Sequence, residues 1–268
     1  MQTKSAAVML PREHGAWAMF IVPLIIGIGA GGQWDPNLLP LALTAFGFFL
    51  LRYPLMLLVK SRSADARSSA ARWSTFYAAL AAASGIWLLL STQLWPLIPI
   101  GALGFLSLAT YLWLAARRAE MSLAGEWIGI AGLALGAPSA YLVATHAFDT
   151  TAIVLYLLNV LYFGGTVFYI KFKVREQPRV VAPTARWLEK LWVGRVTILY
   201  HAMALIIVTL LALIGTLPAL AAAAFALPTC KAIGGVTTRP ARLNIPRLGF
   251  IELGVTVVFA LVVVAAYR

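Results

Sequence analysis

The run WSTFYAALAAASGIWLLLSTQLWPLIPIGALGFLSLATYLWLAA, residues 73–116, contains 44 residues and no Asp, Glu, Lys or Arg. A bilayer core takes about 20 helical residues to cross, so the stretch is too long for one crossing and too apolar for water. It must fold back on itself, and Ser91-Thr92-Gln93 is the polar break where it can do so. From this stretch the chain reads as a helical membrane protein with at least one hairpin inside the lipid.

The rest of the sequence agrees. Of 268 residues, 62% are hydrophobic and 11% charged, against about 25% charged in a soluble domain, and mean hydropathy is +0.88. A water-soluble fold is excluded. A charge at mid-bilayer costs at least about 2.5 kcal/mol, so charge-free runs mark the spans. These are 15–34, 36–59 (broken only by Arg52), the two halves of 73–116, 121–148 (broken only by Glu126), 150–170, two within 196–230 that turn at Gly215-Thr216-Leu217-Pro218, and 248–267 (broken only by Glu252). Nine spans predict an all-α polytopic bundle forming a single integral membrane domain over 1–268. Pro11, Arg12, Glu13 and His14 interrupt the N-terminal apolar run, unlike the core of a cleavable signal, so the first span is expected to be retained.

Charge orients the bundle. Lys4 and Arg12; Lys60, Arg62, Arg67 and Arg72; Arg117 and Arg118; Lys171 through Lys190; and Lys231, Arg239, Arg242 and Arg247 all fall in loops on one side. The opposite loops, GGQWDPN, STQLW, THAFDT and GTLP, contain no Lys or Arg. The positive-inside rule puts the N-terminus in the cytoplasm and the C-terminus outside. The net charge of +12 is then a topology signal, and no nucleic acid partner need be invoked. The single Cys230 and the scattered His14, His146 and His201 offer no zinc spacing; neither metal nor cofactor is expected.

Two stretches predict long basic loops, 60–73 and 171–190. Each ends in Ala-Arg-Trp, at 71–73 and 185–187, which admits either an internal repeat or coincidence. Within the spans, Arg52 lies 16 residues beyond Pro36, about 24 Å down the core and near the basic face. Glu126, Arg195 and Glu252 sit at similar shallow depth from that face. One reading makes these four structural ion pairs; the other makes them the rim of a pocket. Asn159, Tyr162, Thr166, Tyr169 and Lys173 recur every three or four residues and form one polar stripe, as do Lys190, Gly194, Thr197 and His201. The stripes predict either interhelical hydrogen bonding or a water-accessible cavity open to the basic face. In PREHGAWAM, Glu13 beside His14 is the candidate pair for proton transfer or for orienting an anion.

PREHGAWAMFIVPLIIG (11–27), RYPLMLL (52–58), GGTVFYIKFKVRE (164–176) and RLGFIELG (247–254) resemble the YwiC-like bacterial membrane proteins. That resemblance implies a multi-pass protein of a bacterial inner membrane and leaves the activity open. The nine-span plan also resembles the UbiA-type intramembrane prenyltransferases, which carry aspartate-rich motifs after spans two and six to hold magnesium and a prenyl diphosphate. Here those places read LLVKSRSADARSSAAR and FYIKFKVREQPR, with Asp65 and Glu176 the lone acids, too few hard oxygen ligands for such a metal. Cations replace them. The expectation is therefore a UbiA-like membrane protein that binds an isoprenoid or similar anionic amphiphile, with Arg52, Lys60, Lys171, Lys173 and Arg175 at its head and Asn159, Tyr162, Tyr169 and His201 along its cavity. Transfer chemistry without an Asp-rich magnesium site is the activity that the resemblance implies. A small-anion permease and an accessory subunit of a membrane complex are the alternatives.

Overall fold

The computed structural model describes residues 8–11, 14–182, 184–238 and 243–268, without the side chain of His14. Among these residues every regular element is a helix. In chain order they are α1 (His14–Gly31), α2 (Leu38–Lys60), α3 (Ala64–Thr92), α4 (Leu97–Ala116), α5 (Leu123–Ala134) and α6 (Gly136–Thr145), then α7 (Thr150–Lys171) with a π-helical turn (Phe172–Glu176) leading into α8 (Gln177–Val180). They continue as α9 (Trp187–Val193), α10 (Arg195–Leu213), α11 (Ala219–Ala223), α12 (Ala226–Thr237) and α13 (Ile245–Ala266).

Local chemistry sets the boundaries. Asp149 caps α7 by accepting from the amides of Thr151 and Ala152 at 2.8 and 3.3 Å, and Asn244 caps α13 through the Arg247 amide at 3.0 Å. Gln93 closes α3 in the left-handed conformation, φ 54°, just where the polar break stands. Ser63 caps α3 and Asp65 lies in its first turn. Helix α3 thus starts at Ala64, and the expected loop over 60–73 shrinks to a three-residue link, its remaining residues wound into two extra turns. The second expected loop is also partly helical, through the π turn, α8 and α9.

Eight helical stretches are long and apolar enough to cross a bilayer: Leu38–Lys60, Ala64–Thr92, Leu97–Ala116, Leu123–Thr145, Thr150–Val180, Arg195–Leu213, Ala219–Thr237 and Ile245–Ala266. The apolar stretch of α1, Gly15–Gly31, is shorter and reaches about 26 Å. The expected count of nine therefore turns on α1.

That helix lies between two cores. Its buried residues Ala16, Phe20 and Leu24 join one core with α2, α3, α4 and α6, while Val22, Ile26 and Ala30 join a second core with α7, α10, α11 and α13. Each set repeats every four residues and the two are offset by two, which places them on opposite faces. The strip between them, Ile21 and Ile25, stays exposed and is apolar enough to face lipid. Close approach needs glycine: a Cβ at Gly27 would run into α6 at Ala137 and Ala140, and one at Gly29 into Val264 of α13.

The two ends of the bundle differ chemically. At one, Lys60 pairs with Glu120 and Lys171 with Glu126, tying the α2–α3, α4–α5 and α7–π junctions together. At the other, His146 pairs with Asp35 at 2.8 Å, Ser91 donates to Asn37 at 2.9 Å and Arg268 donates to the Gly29 carbonyl at 3.4 Å. Burial raises the Asp35 carboxyl, but its bonds with His146 and Asn37 outweigh this and hold it below the ordinary carboxylate range.

Candidate functional site

Helix α2 exposes one stripe to the interior of the first core: Leu41, Thr44, Ala45, Phe48, Phe49 and Arg52. Spaced by three, four or one, these residues share a helix face and form the floor of a cavity of about 430 Å³. Phe20 and Leu24 of α1, Gly85, Leu88 and Leu89 of α3, and α4 from Leu97 to Tyr111 supply the walls. The far side is Gly129, Gly132 and Leu133 of α5, followed by the break at Leu135 and the start of α6. Helices α3 and α4, although joined by a tight turn, scarcely touch. The cavity is a slot running along α4, and its lining is almost wholly apolar.

One end is cationic. The Arg52 guanidinium lies 4.7 Å over the Tyr111 ring, about 12 Å below the Lys60 end of α2, and among the described residues it is the one formal charge in the lining. The lining hydroxyls are engaged inside the protein: Thr44 donates to the Pro40 carbonyl at 2.8 Å, Ser107 to Ile128 at 2.7 Å and Ser139 to Leu135 at 2.8 Å. Phe20 stacks on Phe49 at 4.7 Å and Trp17 meets Phe49 edge-on at 5.0 Å, which stiffens the wall nearest Arg52. Such a slot can sequester a hydrocarbon and orient a charged head at one end.

Of the residues singled out in the sequence, Arg52 alone borders this slot. Lys60 is held by Glu120, whose carboxyl that hydrogen bond keeps below the usual range against the opposing effect of burial. Lys171 is held by Glu126. Lys173 is buried and donates to Gln177 Oε1 at 2.7 Å, the Gly235 carbonyl at 3.0 Å and the Thr238 carbonyl at 2.9 Å, so it caps the C-terminal end of α12 instead of facing a loop. Arg175 is exposed. Glu13 lies outside the described residues, as does the side chain of His14.

The polar stripes pack. Tyr162 donates to Thr256 Oγ1 at 2.9 Å and stacks on Phe259 at 3.9 Å; His201 Nδ1 lies 2.8 Å from the Thr197 carbonyl; Tyr169 lies beneath Lys231, 4.5 Å from its Nζ. Asn159 is fully buried, its amide nitrogen donating to Leu155 at 2.8 Å. None of these lines the slot; of the two expectations for the stripes, Tyr162 follows the one of interhelical hydrogen bonding.

The pairing of Arg52 or Arg195 with the glutamates is corrected too. Glu126 takes Lys171, and Glu252 takes Lys231 at 2.7 and 2.6 Å. Lys231, expected in a basic loop, stands inside α12. Arg195 donates to the Trp192 carbonyl at 2.9 Å and covers that indole at 4.3 Å. The sequence reading missed the glycines of the slot, though Gly101 and Gly104, and Gly129, Gly132 and Gly136, follow helical spacing and could have been read as two smooth faces.

An all-helical bundle with eight stretches of crossing length defines a multi-pass membrane protein. Residues 10–141 match the family model described as YwiC-like protein, which bears out the resemblance read from the sequence. Every residue lining the slot falls within that segment. The chain is 26% identical to "Uncharacterized protein YwiC" of Bacillus subtilis over 172 residues, 63% of this chain and 68% of the relative. It is 26% identical to an "Uncharacterized protein" of Haemophilus influenzae over 264 residues, covering 96% and 98%. No solved structure matches.

Proposed function

We propose that the protein holds an anionic amphiphile drawn from the membrane, with its tail along α4 and its head at Arg52. The observation that carries this reading is the 430 Å³ slot that ends at a guanidinium over Tyr111. Apolar walls favour a hydrocarbon over a hydrated ion, and a guanidinium in low dielectric orients a carboxylate or phosphate strongly. A permease would need a hydrated path, whereas the polar stripes of α7 and α10 are packed against their neighbours. In this reading the plan is UbiA-like, with nine spans in a bacterial inner membrane and the basic end in the cytoplasm, where the head would lie. If a transfer reaction takes place, Glu13 and His14 are its candidate acid and base.

The test is mass spectrometry of the organic extract of purified protein, with Arg52→Ala beside the wild type. An anionic amphiphile recovered from the wild type and depleted in the variant supports the reading. Equal recovery from both proteins, or a neutral molecule only, refutes it.

A further inference from the structure

We infer that the short helix α9 is a docking site for anionic phospholipid headgroups at the membrane surface, with its tryptophans seated at the top of the acyl layer and its basic side chains on the phosphates.

Placement comes from the fold. The seven residues Trp187–Val193 make about 10 Å of helix, far short of a bilayer core. Gly194 interrupts the helix with φ −83° and ψ 6°, and α10, a stretch of crossing length, starts at the next residue. The bend is seated on the bundle, since a Cβ at Gly194 would run into Val236 of α12. Helix α9 therefore stands where α10 leaves the apolar layer, at the end of the bundle that carries the Lys171–Glu126 pair.

Composition says what it meets there. At about 100° per residue, Trp187, Leu188, Leu191 and Trp192 fall within an arc of about 140°, with Arg186, Glu189 and Lys190 opposite. No residue of α9 is buried, and Trp187, Leu188 and Trp192 are 63%, 61% and 69% exposed. Two uncovered indoles beside the end of a span suit the headgroup boundary, where an apolar ring meets a wet edge. A helix with tryptophan and leucine on one side and cations on the other lies in that plane.

Charge selects the headgroup. Arg186 is exposed and Lys190 half-buried, and among the described residues neither has a carboxylate partner in an ion pair. The Arg195 guanidinium lies 4.3 Å over the Trp192 ring and adds a third positive charge at the edge of the apolar arc. From Arg186 to Arg195 the one acid is Glu189. A zwitterionic headgroup offers its phosphate with an ammonium beside it, whereas an anionic headgroup leaves the phosphate charge for the protein to meet. Each basic residue at an anionic surface strengthens association by about fivefold.

The experiment reads tryptophan fluorescence of the protein in phosphatidylcholine vesicles that contain a minor fraction of a lipid brominated on its acyl chains, either phosphatidylglycerol or phosphatidylcholine. Bromine quenches on contact, so local enrichment of one lipid appears as excess quenching. Brominated phosphatidylglycerol should quench wild type more than brominated phosphatidylcholine does, and the excess should shrink as salt rises from about 0.05 to 0.5 M. Trp187→Phe with Trp192→Phe should remove most of the excess. Arg186→Gln with Lys190→Gln should cut it by about half or more. Arg62→Gln with Arg72→Gln removes the same charge from exposed positions at the same end of the bundle and should leave the excess intact. Should the Arg186 and Lys190 double variant fail to fold, a smaller excess in Lys190→Gln alone and in wild type at high salt takes its place. The absence of an excess in wild type, an excess that survives the tryptophan or glutamine changes, or an equal loss in the Arg62 and Arg72 control overturns the proposal. If neither brominated lipid reaches Trp187 and Trp192, a protein covers α9 and the proposal is overturned as well.

Discussion

The ammonium of Lys231 on α12 donates to both carboxylate oxygens of Glu252 on α13, at 2.7 and 2.6 Å, with both side chains about nine-tenths buried. Removing one partner strands a charge in low dielectric, at a cost of about 3 kcal/mol or more. Glu252→Ala should therefore lower the melting temperature sharply. The double variant Lys231→Met with Glu252→Leu should recover most of the loss, because a packed apolar pair is often as stable as a buried ionic one. A double variant no more stable than the single would show that the pair is held by more than mutual compensation.

Arg52 offers a contrasting case. If it orients a ligand head, Arg52→Ala should weaken amphiphile binding by about tenfold or more, and Arg52→Lys should restore only part, since an ammonium lacks the fork. Exposed Arg179 is the control and should tolerate alanine. Because Glu126 and Glu252 have lysine partners, adding Glu126→Gln or Glu252→Gln to Arg52→Ala should rescue nothing. Rescue of melting temperature by either would make Arg52 a structural partner.

Topology is decided at the C-terminus. Reporter fusions after Asp149 and at Arg268 should both read external. An internal reading at Arg268 with an external one at Asp149 would mean that one of the crossings after Asp149 had been miscounted. An internal reading at both would mean that the bundle is inverted, with its basic loops outside, against the positive-inside rule.

Acid should act at the Asp35–His146 contact. Because the folded carboxyl is held below its ordinary value, its contribution is present above the unfolded carboxylate range, about pH 4, and is lost as pH falls through the depressed value. Asp35→Asn should thus lower the melting temperature at neutral pH, and the gap from wild type should close as the solution is acidified. A gap that widens toward low pH would contradict this assignment.

Chelation provides a further check. The slot's described lining contains no carboxylate, so EDTA should leave amphiphile binding by purified protein unchanged. Loss of binding on chelation, restored by magnesium, would require a metal site elsewhere.

Much of the fold could be read along the chain because lipid is a strict solvent. Charge-free runs predicted the spans, and Gln93 and Gly215 marked turns that the structure places there. Four arginines and lysines around Ser63 and Asp65 argued for a loop over 60–73, yet that same Ser-Ala-Asp is a helix start, and the longer helix keeps its basic side chains beyond the apolar layer. The site was less legible, because it depends on partners distant in sequence. Nothing near Lys231 announces Glu252, 21 positions on. Nothing in the run from Leu97 to Tyr111 says that its glycines face a void and not a neighbour. Arg52 was identifiable alone, since a cation within an apolar span needs a reason wherever it points.

The position of α1 between two cores has a consequence for how the protein is made. Its first face is covered by helices synthesised soon afterwards. Its second waits for α13, whose end reaches back across 239 positions to the Gly29 carbonyl. During biosynthesis the earliest helix must therefore stay half-clothed in lipid or in an insertase until the last arrives. A ribosome that stalls before α13 would release a chain with a glycine-rich groove open along its oldest helix, a mark by which quality-control proteases could tell an unfinished bundle from a finished one.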